Sequence, residues 1–223
     1  MQISAIILDM DGLMVDTEPL YKTAWQQATA ELGFDLDDAR YSTIVGRPLP
    51  DCERLLMEAF GPAFPLDALR ARWPGLWRAE VARVGIDAKP GLLELLAFAD
   101  QQAVAVAVAT STNADWARFT LGCVGLDGRF DVVVTGDQIS RGKPAPDIYL
   151  EAARRLRVDP SACVALEDSE AGIRSIAAAG MTGILVPHWT PSAAARSAAF
   201  HVADSLHDAR EVIAALLASA TIA

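Results

Sequence analysis

The sequence predicts an α/β fold: a doubly wound, Rossmann-like parallel-sheet core carrying an inserted all-helical cap. Three observations predict it. Short continuous apolar runs recur at residues 4–9, 104–109, 132–134, 163–166 and 183–186, as expected of parallel strands buried on both faces. Helical patterns separate these runs from residue 114 onward, the alternation that builds a mostly parallel sheet. Residues 17–88 break that rhythm, with helical stretches at 20–32, 51–60 and 67–84 and no strand-like run.

Taken in order, the first run, Ser4-Ala5-Ile6-Ile7-Leu8, delivers the chain to Asp9. The helical stretches that follow are punctuated by Gly, Pro and Asp at 33–38, 46–50 and 61–65, which mark loops. An all-helical segment placed after the first strand reads as an insertion. It divides the chain into an α/β core of residues 1–16 and 89–223 and a cap of residues 17–88. Within the core, helix 114–121 follows the candidate cap Asn113, and helix 147–156 follows a proline pair. Helix 170–179 sets Ile173, Ile176 and Ala177 on one face and stops at Gly180. Helix 206–218 follows the candidate cap Ser205. Residues 192–199, rich in Ala and Ser, read as a surface helix or loop.

Composition narrows the partners. The chain has 223 residues, 52% of them hydrophobic and 22% charged, enough to bury a sizeable core. A net charge of −10 argues against nucleic acid, which requires a basic face, and against an anionic membrane surface. Any anionic substrate must therefore be drawn by a few local cations or a metal, against the global field. Cys52, Cys123 and Cys163 show no ligand or disulfide spacing, so each reads as a small buried apolar residue in a reducing compartment. With no leader-like start and no apolar run long enough to cross a bilayer, a cytoplasmic, monomeric protein is expected.

Four clusters carry chemistry. Asp9-Met10-Asp11-Gly12 ends the first strand, where open α/β sheets gather ligands; two carboxyls at i and i+2 repel unless a cation neutralises them or one stays protonated. Thr110-Ser111-Thr112-Asn113 ends the second run. Lys143 sits in a turn braced by Pro144 and Pro146. Glu167 and Asp168 follow the fourth run, immediately before a helix, where acids also serve as caps. Acids, hydroxyls, a fixed cation and further acids are the parts that phosphoryl transfer needs. Carboxylate oxygens without a histidine or thiolate set point to magnesium. His188, His201 and His207 lie late in the chain and read as structural or surface residues.

These motifs, Asp9-Met10-Asp11-Gly12-Leu13-Met14-Val15-Asp16-Thr17, Thr110, Gly142-Lys143-Pro144-Ala145-Pro146-Asp147 and Glu167-Asp168, occur in the order and spacing of the haloacid dehalogenase superfamily. Nearly the whole chain resembles its beta-phosphoglucomutase-like group of phosphatases and mutases. The resemblance implies that Asp9 is the nucleophile and that Asp11 is the general acid and base. It implies that Thr110, Ser111 and Lys143 hold the phosphoryl oxygens. Magnesium would take Asp9, the Asp11 carbonyl and Asp168, with Glu167 beside it or on it. The helical insertion becomes a mobile cap that selects the leaving group, with Tyr21, Gly46 and Arg47 as its candidate substrate contacts.

The presence of Asp11 favours phosphate over carbon–halogen chemistry. Where the mutases place a cap histidine, and a lysine and arginine around a cap-loop glycine, this chain has Tyr21, Val45 and Leu49. That departure favours a magnesium-dependent phosphatase over a sugar phosphomutase, although Arg47 could restore some of the charge. A phosphoacceptor signalling module would be about half this length and would have no helical insertion. The expected substrate is a small phosphorylated metabolite, such as a sugar phosphate or nucleoside monophosphate.

Overall fold

The computed structural model describes residues 3–45, 49–188 and 190–221. The chain divides into two compact units, Met1–Asp16 with Asp87–Ala223, and Thr17–Ile86. Among the described residues the first unit holds six strands, β1 (Ala5–Leu8), β2 (Ala105–Thr110), β3 (Val132–Thr135), β4 (Cys163–Glu167), β5 (Thr182–Leu185) and β6 (His201–Val202). They form one sheet in the order β3-β2-β1-β4-β5-β6, every pair parallel. The chain winds outward from β1 through β2 to β3, then returns to the other side of β1 for β4 to β6. In a doubly wound sheet the carboxyl ends of the strands beside such a reversal are the usual place for a ligand.

Burial follows from the apolar runs. All four residues of β1 and all five of β4 are buried, because helices cover both faces. Tyr149, Ala152 and Ala153 of α7 (Asp147–Leu156) and Ile173 and Ile176 of α8 (Glu170–Ala178) share a core cluster with Ile7, Ala107, Ala109 and Ala165. Ala177 is exposed, contrary to the expected face, and Gly172 and Ser175 occupy the inner stripe. A serine can lie there because its hydroxyl donates to the Ala145 carbonyl at 2.6 Å.

The capping expectations hold. Asn113 accepts from the Trp116 N–H at 3.1 Å ahead of α6 (Ala114–Cys123), and Ser205 accepts from the Asp208 N–H at 3.2 Å at the start of α10 (Leu206–Thr221). Residues 193–198 form a short helix, α9 (Ala193–Ala198). The sequence reading missed α5 (Leu92–Gln101), although Leu92, Leu95, Leu96 and Ala99 form its buried stripe. It also missed the two-residue strand β6. Cys52 and Cys163 are buried, but Cys123 is exposed. It closes the last turn of α6, whose buried stripe is Ala117, Thr120 and Leu121.

Among its described residues the second unit's regular elements are helices: α1 (Glu18–Glu31), α2 (Asp38–Ile44), α3 (Leu49–Phe60) and α4 (Leu66–Val84). Helix α2 lies between the loop stretches read at 33–38 and 46–50, in residues given no element there; Asp37 caps it, accepting from the Arg40 N–H at 2.8 Å. Trp25, Ala28, Leu36, Leu56, Phe64 and Leu69 belong to this unit's own core. No helix among the described residues is long and apolar enough to cross a membrane.

Candidate active site

Asp9 follows β1 directly, Thr110 ends β2, and Glu167 ends β4 with Asp168 next. The parallel register therefore brings three motifs to one edge of the sheet. Lys143 arrives from the loop before α7. That loop is pinned by the Ala145 N–H to the Gly142 carbonyl (3.0 Å), by the Arg141–Asp147 ion pair (2.7 Å) and by Ser175 on Ala145. A lysine on such a loop would ordinarily reach solvent. Here its side chain is only 7% exposed, and the ammonium donates to Asp9 Oδ1, to Glu167 Oε1 at 2.6 Å and to the Ala109 carbonyl at 3.2 Å.

Glu167 is the anchor of that ammonium. Its Oε1 also accepts from the Tyr149 hydroxyl at 3.0 Å. Its Oε2 accepts from the Asp168 and Ser169 N–H groups, each at 3.0 Å, and from the Ser169 hydroxyl at 2.9 Å. The Tyr149 ring lies 5.2 Å from the Lys143 ammonium, within cation–π range. Gly172, in the first turn of α8, completes the pocket. A Cβ there would stand 1.7 Å from Glu167 Oε1, so a larger residue would displace the carboxylate or the helix.

The electrostatics follow from burial and crowding. Burial pushes the Asp9 carboxyl up to about 8; Lys143 opposes the shift, while Glu167 and Asp11 add to it. Burial also disfavours the Lys143 ammonium, but Asp9 and Glu167 outweigh it and hold the lysine above its ordinary range. Burial acts against the Glu167 carboxylate too, and Lys143 with the Ser169 donors reverses the balance, leaving it below its ordinary value. Tyr149, buried beside Glu167, stays a phenol well beyond its usual range.

Asp11 lies in the turn after Asp9, where Gly12 N–H donates to the Val15 carbonyl at 3.0 Å. Its Oδ2 accepts from the Thr112 hydroxyl at 2.8 Å and, at the limit of 3.5 Å, from the Thr110 hydroxyl. Gly12 has φ +83°, and a Cβ there would meet Asp168 Oδ2 at 2.1 Å. Glycine is therefore required twice, for the left-handed turn and for the approach of Asp168.

Asp9, Glu167 and Asp168 can each present a carboxyl oxygen within 4.8 Å of the other two. Such hard donors, crowded by Asp11 as well, suit a magnesium-type cation. Each Glu167 oxygen accepts from protein donors, and Asp168 Oδ2 lies beside Gly12.

Thus Asp9, Asp11, Thr110, Lys143, Glu167 and Asp168 converge. Ser111 follows Thr110 and is exposed; its carbonyl is approached so closely by Gly136 that a Cβ there would stand at 2.2 Å. Tyr21, on α1, packs its ring on Trp77 and Trp73 of α4, centroids 5.5 and 5.9 Å apart. Gly46 and Arg47 lie outside the described residues. The sequence reading missed the parts played by Thr112, Tyr149 and Ser169. A tyrosine on an apolar helix stripe was the available signal, since a buried phenol needs a polar partner.

Comparison with known proteins gives the family. The family profile of haloacid dehalogenase-like hydrolases matches residues 3–180. A phosphorylated carbohydrates phosphatase of Thermotoga maritima is 34% identical over 180 residues, covering 81% of this chain and 83% of that protein. Hexitol phosphatase B of Escherichia coli K12 is 33% identical over 197 residues, covering 83% and 84%. Among solved structures, a Thermotoga maritima protein assigned as a beta-phosphoglucomutase superposes with a TM-score of 0.81 at 31% identity, covering 96% of this chain and 100% of that one. The chain belongs to the haloacid dehalogenase-like hydrolases, and among them it is a phosphoric monoester hydrolase.

Proposed function

We propose that the chain hydrolyses a phosphorylated carbohydrate or sugar alcohol, with magnesium, through a phosphoryl group carried transiently on Asp9. The observation that carries this reading is the buried Asp9 carboxyl held by Lys143 at the end of β1, with Asp11 and Asp168 around it. The names of the relatives, a phosphorylated carbohydrates phosphatase and a hexitol phosphatase, favour the substrate class.

In this reading Lys143, together with the metal when bound, favours the ionised form of Asp9 against the burial that raises it, and a carboxyl oxygen of Asp9 attacks phosphorus. The bond from phosphorus to the sugar oxygen breaks, and Asp11 gives its proton to that oxygen. Asp11, now a carboxylate, takes a proton from water as the water oxygen attacks phosphorus. The bond to Asp9 then breaks and inorganic phosphate leaves. Lys143 and the Thr110 hydroxyl face the phosphoryl oxygens, where charge is concentrated throughout. Asp9, Asp168 and the Asp11 carbonyl would hold magnesium, which when bound screens the carboxylates from the incoming phosphate and withdraws charge from it. Glu167 serves by fixing Lys143, since its oxygens are taken by other donors.

A panel of hexose, pentose and hexitol phosphates set beside nucleoside monophosphates, assayed for phosphate release with magnesium and with chelator, tests the proposal. Release from the carbohydrate esters that chelator abolishes is expected. Preference for nucleotides, or release indifferent to chelator, would overturn the substrate or the metal assignment. Interconversion of sugar 1- and 6-phosphates in place of release would reinstate the mutase reading.

A further inference from the structure

We infer that Thr112 is a positioning residue for the general acid: its hydroxyl sets the rotation of the Asp11 carboxyl. This rests on the acid–base role proposed for Asp11 and adds a residue to it. Thr112 is held at both backbone groups. Its N–H donates to Thr110 Oγ1 at 3.1 Å, and its carbonyl accepts from the Gly136 N–H at 2.9 Å. The second contact ties the end of β2 to the residue that follows β3. It is possible only because Gly136 lacks a side chain, a Cβ there falling 2.2 Å from the Ser111 carbonyl. From this two-point mount Thr112 Oγ1 donates to Asp11 Oδ2 at 2.8 Å, closer than Thr110 at 3.5 Å.

A carboxyl on a turn has a soft terminal torsion. A general acid must nevertheless present one oxygen at hydrogen-bond distance from the leaving atom. A hydroxyl donating to Oδ2 fixes that torsion, and it also makes Oδ1 the better oxygen to carry the transferable proton. The gain is orientation, which acts only when the leaving oxygen needs a proton.

The test compares Thr112→Val, which keeps the shape and deletes the donor, with Thr112→Ser, which restores the donor. The readout is kcat/KM for magnesium-dependent hydrolysis of p-nitrophenyl phosphate and of an alkyl phosphate such as a hexitol phosphate. Thr112→Val should lose tenfold or more with the alkyl ester and about twofold to threefold with p-nitrophenyl phosphate, whose leaving group departs without a proton. Thr112→Ser should recover most of the difference. Equal losses on both esters, or a serine variant no better than valine, would overturn the proposal. A crystal structure of Thr112→Val judges it independently of turnover: the Asp11 carboxyl should rotate from its present orientation, and an unmoved carboxyl would overturn the inference. Absence of hydrolysis in the wild type would sink the phosphatase reading instead, with the crystallographic outcome still deciding the role of Thr112.

Discussion

Tyr149→Phe isolates one hydrogen bond in the lysine anchor. The ring is fully buried and lies 5.2 Å from the Lys143 ammonium, so phenylalanine keeps the packing and the cation–π contact. Only the bond from the hydroxyl to Glu167 Oε1, 3.0 Å long, is lost. Because Tyr149 stays protonated well above its ordinary range, that bond is present at every working pH. A hydrogen bond to a charged group contributes about 1.5–3 kcal/mol. Glu167 keeps Lys143, two N–H donors and the Ser169 hydroxyl, so no buried charge is orphaned and the loss should fall near 1–2 kcal/mol. For a chain of this size the melting temperature should drop by about 2–8 °C. If about 1 kcal/mol of that reaches the placement of the ammonium, kcat/KM falls about fivefold. Glu167→Gln should be far worse, because it removes one anionic partner of a buried cation, a change worth about 3–5 kcal/mol. Thermal unfolding and steady-state hydrolysis, measured on both variants, decide the matter. An unchanged melting temperature in Tyr149→Phe, or a loss of activity equal to that of Glu167→Gln, would refute the reasoning.

Asp168→Asn should raise the magnesium concentration for half-maximal activity by tenfold or more, whereas Glu167→Gln should mainly lower kcat; the reverse pattern in a magnesium titration would exchange the two assignments. A pH effect follows from Asp9, whose carboxyl is raised from 3.8 to about 8 in the metal-free fold. The native state then holds a proton that the unfolded chain releases, so this group's contribution to stability falls as pH rises from about 4 to about 8. A metal that replaces the proton should therefore raise the melting temperature little near pH 5.5 and several degrees more near pH 8. Equal gains at both pH values would contradict the assignment of Asp9 as a ligand. Gly172→Ala should cost about 1–3 kcal/mol by overpacking against Glu167 and depress turnover with it. Gly122→Ala, on α6 with nothing within 4 Å, should stabilise by roughly 0.5–1 kcal/mol; similar thermal shifts in the two variants would mean that Gly172 is not tight.

The core sheet was legible because strands buried on both faces leave continuous apolar runs, as in β1 and β4. The site was legible where a strand end coincided with a reactive side chain, as at Asp9, Thr110 and Glu167. Lys143 was legible through the two prolines of its loop, though its burial was not. Nothing in sequence spacing says that a lysine between β3 and α7 will turn inward onto two carboxylates. Helix α5 was missed because Pro90-Gly91 looks like a loop and hides the stripe behind it; α2 was missed because Asp37 reads equally as a turn residue and as a cap. Thr112 was visible as one hydroxyl among three, but which hydroxyl meets Asp11 depends on the tie to Gly136 across two strands. Ser169 was hidden by its acidic neighbours: either could cap α8, and the structure gives the cap to the serine, which accepts from the Gly172 N–H at 3.0 Å.

The charge of the whole chain and the charge of its proposed substrate have the same sign, and distance reconciles them. A net charge of −10 repels a phosphate ester in solution, but at physiological ionic strength that repulsion is screened beyond about 8 Å. Inside the site the balance is local, and without a metal it is also unfavourable. Lys143 divides its charge between Asp9 and Glu167, while Asp11 and Asp168 stand beside them. At about 4 Å and an effective dielectric constant near 20, one unit pair is worth about 4 kcal/mol, so each uncompensated carboxylate matters more than the distant surface does. A divalent cation between Asp9 and Asp168 would reverse that sign for the approaching phosphoryl group. It would also favour the ionised Asp9 that attack requires. One ion so placed would thus answer both the burial and crowding that raise Asp9 and the acidity of the chain, which is the physical reason for proposing that metal and nucleophile share a carboxylate.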